Sequence, residues 1–475
     1  MELEAVIGLE IHAQLLTNTK IFCGCKSQFG NEPNTLGCPV CLGLPGSLPV
    51  LNKKVVEMAI LTGLATNCSI SEKSIFARKN YMYPDLPKGY QISQYDRPLC
   101  ENGSIEITVN NEVKEIGITR IHLEEDAGKL IHDQDIDSLF DVNRCGTPLI
   151  EIVSEPDMSS PEEAYMYLSS LKQLLEYLCV CDCNMEEASL RCDANISIKP
   201  FGQKKLGVKT ELKNMNSLRG VEKALDYEYR RQKEIIESGG HIIQQTFQWD
   251  PNKNMSIPMR SKEDAQDYRY FPDPDLIPLT VDQKLIKKIV ETMPELPKPR
   301  CNRFQEEYNL NSEHANLLTD TRLVADYFEQ TTKICKDSQL SANWIMVDIL
   351  RLCNEKKCKI TDLSVTPERL GSLLIMLKDG MISGSAAKKI LDKIEIEDKE
   401  PQLLVEEMGL KQISDNSALT TTVETIIKKF PNEVKRYKEG EKKLVSFFIG
   451  QSMKATKGKG NPKEIRKILT NFLEN

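Results

Sequence analysis

Nowhere in the 475 residues do 18 apolar side chains follow one another without interruption. That is about the shortest run that carries a helix across a bilayer, so no membrane span is expected. The opening stretch MELEAVIGLE begins with acidic residues and holds no basic one. It has the pattern of neither a secretory signal nor an Arg-rich transit peptide, and the expected location is the cytoplasm. There is no GxxxxGK[ST] loop and no kinase-type glycine loop, which argues against P-loop and protein-kinase architectures. No GxSxG elbow supports a Ser–His–Asp hydrolase, and no tandem repeat or long low-complexity run occurs. With no export signal, the 15 cysteines are expected to be metal ligands or buried free thiols rather than disulfides.

A chain of this length exceeds one hydrophobic core, and two to four domains are expected. Its formal charge is −8, which argues weakly against a simple nucleic-acid binder. Residues 411–475 nevertheless carry a net +7 and the rest −15. A basic tail on an acidic body lets an anionic polymer be held at one end while carboxylates elsewhere serve metal ions. Residues 1–295 read as strand-like runs broken by Gly, Pro, Asn and Asp, with helices at SPEEAYMYLSSLKQLLEYL and SLRGVEKALDYEYRRQKEIIESGG. The first opens on Ser160 and Pro161 as cap and first helical residue; the second stops at Gly239–Gly240. The Pro-punctuated MPELPKPR, residues 293–300, reads as a linker. Beyond it lie amphipathic helices over 296–410 and a last helical unit over 411–475. The fold class expected is α+β: a β-rich domain over 1–295 followed by two small helical ones.

In VIGLEIHAQL, Leu9, Ile11, Ala13 and Leu15 alternate with Glu10, His12 and Gln14, the period of a strand with one buried face. SLRCDANISI and GVKTELKN repeat the pattern, setting Arg191, Asp193 and Asn195, and then Lys209, Glu211 and Lys213, opposite apolar residues. IHLEEDAGK and PLIEIVSEPD add His122, further acids and Glu151. Each strand alone reads as a sheet face turned to water. Together they suggest one surface lined by acids, a His, an Arg and lysines. Carboxylates with a His suit Mg²⁺ holding phosphate oxygens, and cations among them suit a transferring phosphoryl group.

CGCKSQFGNEPNTLGCPVC sets Cys23-x-Cys25 and Cys38-x-x-Cys41 with twelve residues between them, the spacing of a closed, structural four-thiolate zinc site. Cys179, Cys181 and Cys183 have no second ligand pair nearby and read as buried thiols at a helix-to-strand transition. RKNYMYPDLPKGYQISQYDRPL interleaves Arg78, Lys79 and Lys88 with Tyr81, Tyr83 and Tyr90. Such a loop suits a single-stranded RNA end and is equally an ordinary packed loop. In the tail, Lys454, Lys457 and Lys459 beside Gly450, Gly458 and Gly460 would let a phosphate backbone come close, or form a merely solvated basic loop.

VIGLEIHAQL, RKNYMYPDLPKGYQISQYDRPL, IHLEEDAGK, DVNRCGTPLIEIVSEPD, SLRCDANISI, KTELKNMNS, DYRYFPDPDL and GQSMKATKGKGNP, in this order, closely resemble the B-subunit (GatB/GatE) family of the aspartyl/glutamyl-tRNA(Asn/Gln) amidotransferase. The likeness extends over essentially the whole chain. It implies a cradle-like β-rich catalytic domain, a helical domain and a tail that grips tRNA. It implies that Mg-ATP phosphorylates the side-chain carboxylate of Glu-tRNA(Gln) or Asp-tRNA(Asn), and that ammonia then displaces the phosphate. Ammonia would come from glutamine through an amidase A subunit, with a small C subunit completing a heterotrimer; the chain shows no glutaminase motif of its own. The resemblance assigns Mg²⁺ and phosphoryl transfer to Glu10, His12, Lys79, Glu125 and Glu151, with Glu186 and Asp193 as further matches. Lys79, Arg191 and Lys209 are the cations expected on ATP, Lys79 at the γ-phosphate. Zn²⁺ would occupy Cys23, Cys25, Cys38 and Cys41. Two other readings remain open: a non-catalytic zinc-containing tRNA-binding scaffold, and an independent RNA-modifying or aminoacylating enzyme.

Overall fold

From Leu3 to Gln14 every odd-numbered side chain is buried and every even-numbered one is partly exposed, as strand geometry requires when one face meets a core. The computed structural model describes residues 2–131, 135–259, 268–412, 416–456 and 460–474. Strand β1 (Leu3–Gln14) lies in a sheet with β2 (Ser69–Ile70), β3 (Cys100–Val109), β4 (Glu112–Glu125), β5 (Pro148–Ser154), β6 (Leu190–Pro200), β7 (Thr210–Met215), β8 (Thr246–Asp250) and β9 (Met255–Pro258). Their order is β9-β8-β7-β6-β1-β5-β4-β3-β2, with β1 in the middle. All neighbours are antiparallel except β7 and β8. Those two run parallel because a helix connects them, which a hairpin turn could not do. Between Cys192 and Ala194 the β6–β7 register shifts, so that Asp193 faces both Lys213 and Asn214, and Asn214 takes a left-handed φ of 65°. That is a β-bulge.

Three helices pack against the apolar side of the sheet: α1 (Lys53–Ala65), α2 (Pro161–Tyr177) and α3 (Leu218–Glu237). At α2 the Ser160 side chain accepts from the N–H of Glu163, Pro161 fills the first helical position, and Glu162 and Glu163 stand in the first turn. These features satisfy free donors and complement the helix dipole. Ser217 caps α3 in the same way on Gly220, and Gly239, at φ 80°, follows its end. One continuous core joins Ile7, Leu9 and Ile11 of β1 to Leu168 and Leu171 of α2 and Val221 and Leu225 of α3.

The chain divides into two compact units, Met1–Leu296 and Pro297–Asn475. The second is helical and holds one hydrophobic cluster between Cys301 and Val405 and another between Leu419 and Leu473. The stretch read as a linker does not stay irregular, since a helix starts inside it at Pro297; proline fits a first turn, whose N–H groups are free in any case. RKNYMYPDLPKGYQISQYDRPL is a loop at residues 81–89, as expected, but it is flanked by strands. Phe76–Asn80 and Tyr90–Gln94 pair antiparallel, and Phe271–Pro272 adds a third strand. Among the described residues no helix is long and apolar enough to cross a membrane.

Ile11, wholly buried in the central strand, is the test of this core. Ile11→Ala is expected to cost about 3 kcal/mol, read as a fall in the urea midpoint of the first unit; a loss below about 1 kcal/mol would mean that the strand tolerates a void.

Candidate active site and metal centre

The site follows from register. His12 lies opposite Glu151 on β5 and Arg191 on β6, and Glu151 lies opposite His122 on β4. One row therefore crosses four strands on the polar face. Two residues along β4, Glu124 joins the same face. His12 Nε2 is 3.2 Å from Glu151 Oε2, and His122 Nε2 is 3.4 Å from Glu124 Oε2 and 3.6 Å from Glu151 Oε2. One ligand atom each from His12, Glu124 and Glu151 fall within 4.8 Å of one another, close enough to share one cation. His122, Glu124 and Glu151 are buried. Burial works against the His12 cation, yet its hydrogen bond to Glu151 and the charges of Glu151 and Glu124 outweigh this and raise its pKa. Burial likewise opposes the Glu151 carboxylate, but His122, His12 and Lys79 hold its pKa well below the ordinary range.

The small sheet closes over this end of β4. Ser93 donates to Glu124 Oε2 at 3.0 Å, and Gln94 Oε1 accepts the Leu123 N–H at 3.0 Å. Arg78 is held by Asp273 at 2.8 Å and Asp275 at 2.7 Å. The adjacent Lys79 points the other way along the strand's alternation. Its ammonium sits 5.1 Å from the centroid of the Tyr268 ring. Burial disfavours that charge, but Glu124 and Glu151 more than offset it and raise its pKa. Among the described residues no carboxylate lies within ion-pair distance of Lys79, so its charge is free to meet an anion. Tyr81 and Tyr268 pack edge to face at 5.8 Å, Tyr268 and Tyr270 at 6.0 Å, and Tyr270 stacks on Tyr95 at 4.2 Å. Burial, chiefly, pushes Tyr270 up to about 12.

The remaining expected residues are distributed around this group. Glu10 shares its face and faces Asp193 across β6; burial, then Glu151, Asp193 and Glu211, raise its pKa. Asp193 and Glu211 are both bound to Lys213, at 2.7 and 2.9 Å. Lys209 is exposed and lines, with Glu10, Gly8 and Asn195, a cavity of about 290 Å³. Glu186 stands exposed in a turn, and among the described residues its carboxylate has no partner. Glu125 lies outside the His12–Glu124–Glu151 group: it ion-pairs with Lys88 and accepts the Ile92 N–H at 2.8 Å. Arg191 is clamped by both oxygens of Asp126, at 3.0 and 3.1 Å, while Gln14 donates to the same carboxylate at 2.9 Å. Glu124 and Asp126 were thus missed individually, and Lys88, read from the sequence as a candidate RNA contact, is paired with Glu125. Only the acidic run LEED signalled Glu124 and Asp126.

Cys23, Cys25, Cys38 and Cys41 converge with all four sulfurs within 4.8 Å. Cys41 lies 3.4 Å from Cys23, 3.7 Å from Cys38 and 3.9 Å from Cys25. A tetrahedral metal with M–S bonds of about 2.3 Å spaces its sulfurs about 3.8 Å apart, so the donor set fits. Gly43, in the left-handed conformation at φ 63°, ends the short helical turn Pro39–Leu42 that carries Cys38 and Cys41, as a knuckle requires. Cys181 and Cys183 are buried as expected, but Cys179 is exposed. In the tail Gly450 is inside the helix Leu444–Ala455, not in a loop. Gly460 packs closely, since a Cβ there would come within 2.6 Å of Ile465. Lys457, Gly458 and Lys459 lie outside the described residues.

Carboxylates and imidazoles that could hold a cation share one sheet face near the Lys79 ammonium, and a separate four-thiolate cluster could hold a metal of its own. Residues 5–287 match the GatB/GatE catalytic domain and residues 326–473 the GatB domain. The chain is 53% identical over 469 residues to the B subunit of the aspartyl/glutamyl-tRNA(Asn/Gln) amidotransferase of Thermoanaerobacter sp. (strain X514), covering 99% of both. It is 52% identical over 474 residues to the counterpart in Thermodesulfovibrio yellowstonii and 48% identical over 474 residues to that in Chlorobium limicola, covering 100% of each chain. The chain belongs to the GatB/GatE family.

Asp126 tests the supporting shell. Burial opposes its charge, but Arg191 and Arg144 overcome this and depress its pKa. A depressed carboxylate contributes stability above its unfolded pKa of about 4, and loses it as pH falls through the folded value. Asp126→Asn is expected to cost about 3 kcal/mol at pH 7 in urea unfolding, the gap from wild type narrowing only below about pH 4.

Proposed function

We propose that this chain is the tRNA-dependent kinase and amidating subunit of a glutamine-dependent amidotransferase, an ATP-dependent carbon–nitrogen ligase. The observation that carries the reading is Lys79, a cation without a carboxylate partner among the described residues, set beside Glu124 and Glu151. A carboxylate is a poor electrophile. Attack of the tRNA-borne Glu or Asp carboxylate oxygen on the γ-phosphorus of ATP forms an acyl phosphate and releases ADP. Ammonia then adds at the carbonyl carbon, loses a proton, and expels inorganic phosphate, giving Gln-tRNA(Gln) or Asn-tRNA(Asn). Lys79 neutralises the γ-phosphoryl oxygens as charge spreads over them. His12, Glu124 and Glu151 would hold Mg²⁺, with Glu10 the next acid along β1. The ion would offset repulsion between ATP and the substrate carboxylate. Glu124 takes the ligand role that family likeness alone assigns to Glu125. Glu125 instead fixes Lys88 and the Ile92 backbone, and Asp126 fixes Arg191 at the edge of the site. Lys209, beside its cavity, serves more distant ATP phosphates, and Asp193 orients Lys213.

The four cysteines hold a structural Zn²⁺. Residues 1–295 form the catalytic domain, 296–410 the helical domain, and 411–475, with its net +7, the part that grips tRNA phosphates. Nitrogen comes from a partner amidase A subunit, and a small C subunit completes a cytoplasmic heterotrimer. The names of the relatives support a multi-subunit amidotransferase acting on tRNA.

The test is conversion of Glu-tRNA(Gln) to Gln-tRNA(Gln) by the assembled complex with Mg-ATP and ammonium, which bypasses the glutaminase. Lys79→Ala and Glu124→Gln are expected to lower the rate by at least 100-fold with tRNA binding retained. Glu125→Gln is expected to lose less. The opposite ranking of the two glutamates would return the ligand role to Glu125. Full activity in Lys79→Ala and Glu124→Gln alike would leave a tRNA-binding scaffold whose acids are merely solvated.

A further inference from the structure

Lys20 has no exposed surface, and among the described residues no carboxylate lies within ion-pair distance of it. Its ammonium donates to the Leu36 carbonyl at 2.7 Å, to the Val142 carbonyl at 3.4 Å and to Cys41 Sγ at 3.6 Å. Three donors thus have three acceptors, but two of those are neutral. A buried cation without a counter-charge is costly, and of its three acceptors only the Cys41 thiol can become an anion. Conversely, four thiolates around Zn²⁺ carry a net −2, an uncompensated charge where Cys41 is itself buried. Each feature supplies what the other lacks.

We propose that Lys20 is the charge-compensating, positioning residue of the four-cysteine metal centre. Its ammonium lowers the net charge of the filled site from −2 to −1 through an N–H···S bond to Cys41. The same group ties three segments together: the Cys23–Cys25 arm on which it sits, the irregular segment leading into Cys38 through Leu36, and the 142–145 turn through Val142. Cys145 of that turn belongs to the same small apolar cluster as Cys41. The stem of Lys20 runs past Gly146, where an added Cβ would meet it at an ordinary 3.6 Å; it is the left-handed φ of 76° that favours glycine there. This inference rests on the zinc reading of the four cysteines.

The experiment is zinc competition with a chromophoric chelator on the full-length chain, for wild type, Lys20→Met and Lys20→Gln. Glutamine keeps a donor for the Leu36 and Val142 carbonyls and removes only the charge, so it carries the test should the methionine variant not fold. Both variants are expected to bind zinc about tenfold or more weakly, as loss of an outer-shell partner does. With Co²⁺ in the site, the thiolate-to-metal charge-transfer band is expected to move to longer wavelength, because a thiolate stripped of its cation is a better electron donor; a merely structural lysine would leave it in place. Wild-type zinc affinity and an unmoved band in Lys20→Gln would overturn the proposal. A wild-type chain that takes up no zinc would overturn the zinc reading and this inference with it.

Discussion

The constraint on which the rest depends is the register of β1 against β5 and β6. Strand side chains alternate with a period of two, so a slip of one residue exchanges the two faces completely. In the observed register Leu9, Ile11 and Ala13 are buried and Glu10, His12 and Gln14 look outward. A one-residue slip on either side would break the His122–Glu151–His12–Arg191 row while also pushing charge into the core. The hydrophobic core thereby specifies the chemistry: burial of the apolar face is what aligns four polar groups from four strands. No local preference of any one segment could do that.

Electrostatically the polar face is a set of neighbouring charges in graded balance rather than a uniform acid patch. Asp126 is fully satisfied by Arg191 and Gln14, and Asp193 by Lys213. Toward His12, Glu124 and Glu151 the pairing runs short, with partners at 3.2 to 3.6 Å that are imidazoles rather than permanent cations. Lys79 contributes field there without making a contact ion pair. Low-dielectric surroundings magnify such partial compensation, and that is where an added cation and a phosphate would gain most.

How much of this could be read from the sequence follows the range of the interactions. Alternation in VIGLEIHAQL and the cap and proline before Pro161–Tyr177 are local, and the corresponding strand and helix are found where expected. The convergence of the cysteines follows from short-range spacing. What was not legible is long-range. Glu124 and Glu125 are adjacent in a strand and point to opposite faces, and composition alone does not say which one faces His12; the pairing of Glu151 with His122 puts Glu124 on that face. Lys88, Asp126 and Lys20 find their partners tens of residues or more away. Gly450, beside lysines, looked like an opening for phosphate, but helix propagation from Leu444 absorbed it.

The bulge at Asn214 has a consequence for how this gene tolerates change. Because one residue of β6 faces two of β7, Leu212 and Met215 both reach the core although their spacing is odd, and Lys213 is left on the outer face beside Asp193. Replacing Asn214 by another residue that accepts a left-handed conformation would leave both faces intact. Losing one codon there would set Leu212 and Met215 two apart with Lys213 between them, and strict alternation would still turn the pair inward and Lys213 outward. A strand without a bulge has no such residue to spare, since a deletion there exchanges its faces from that point on.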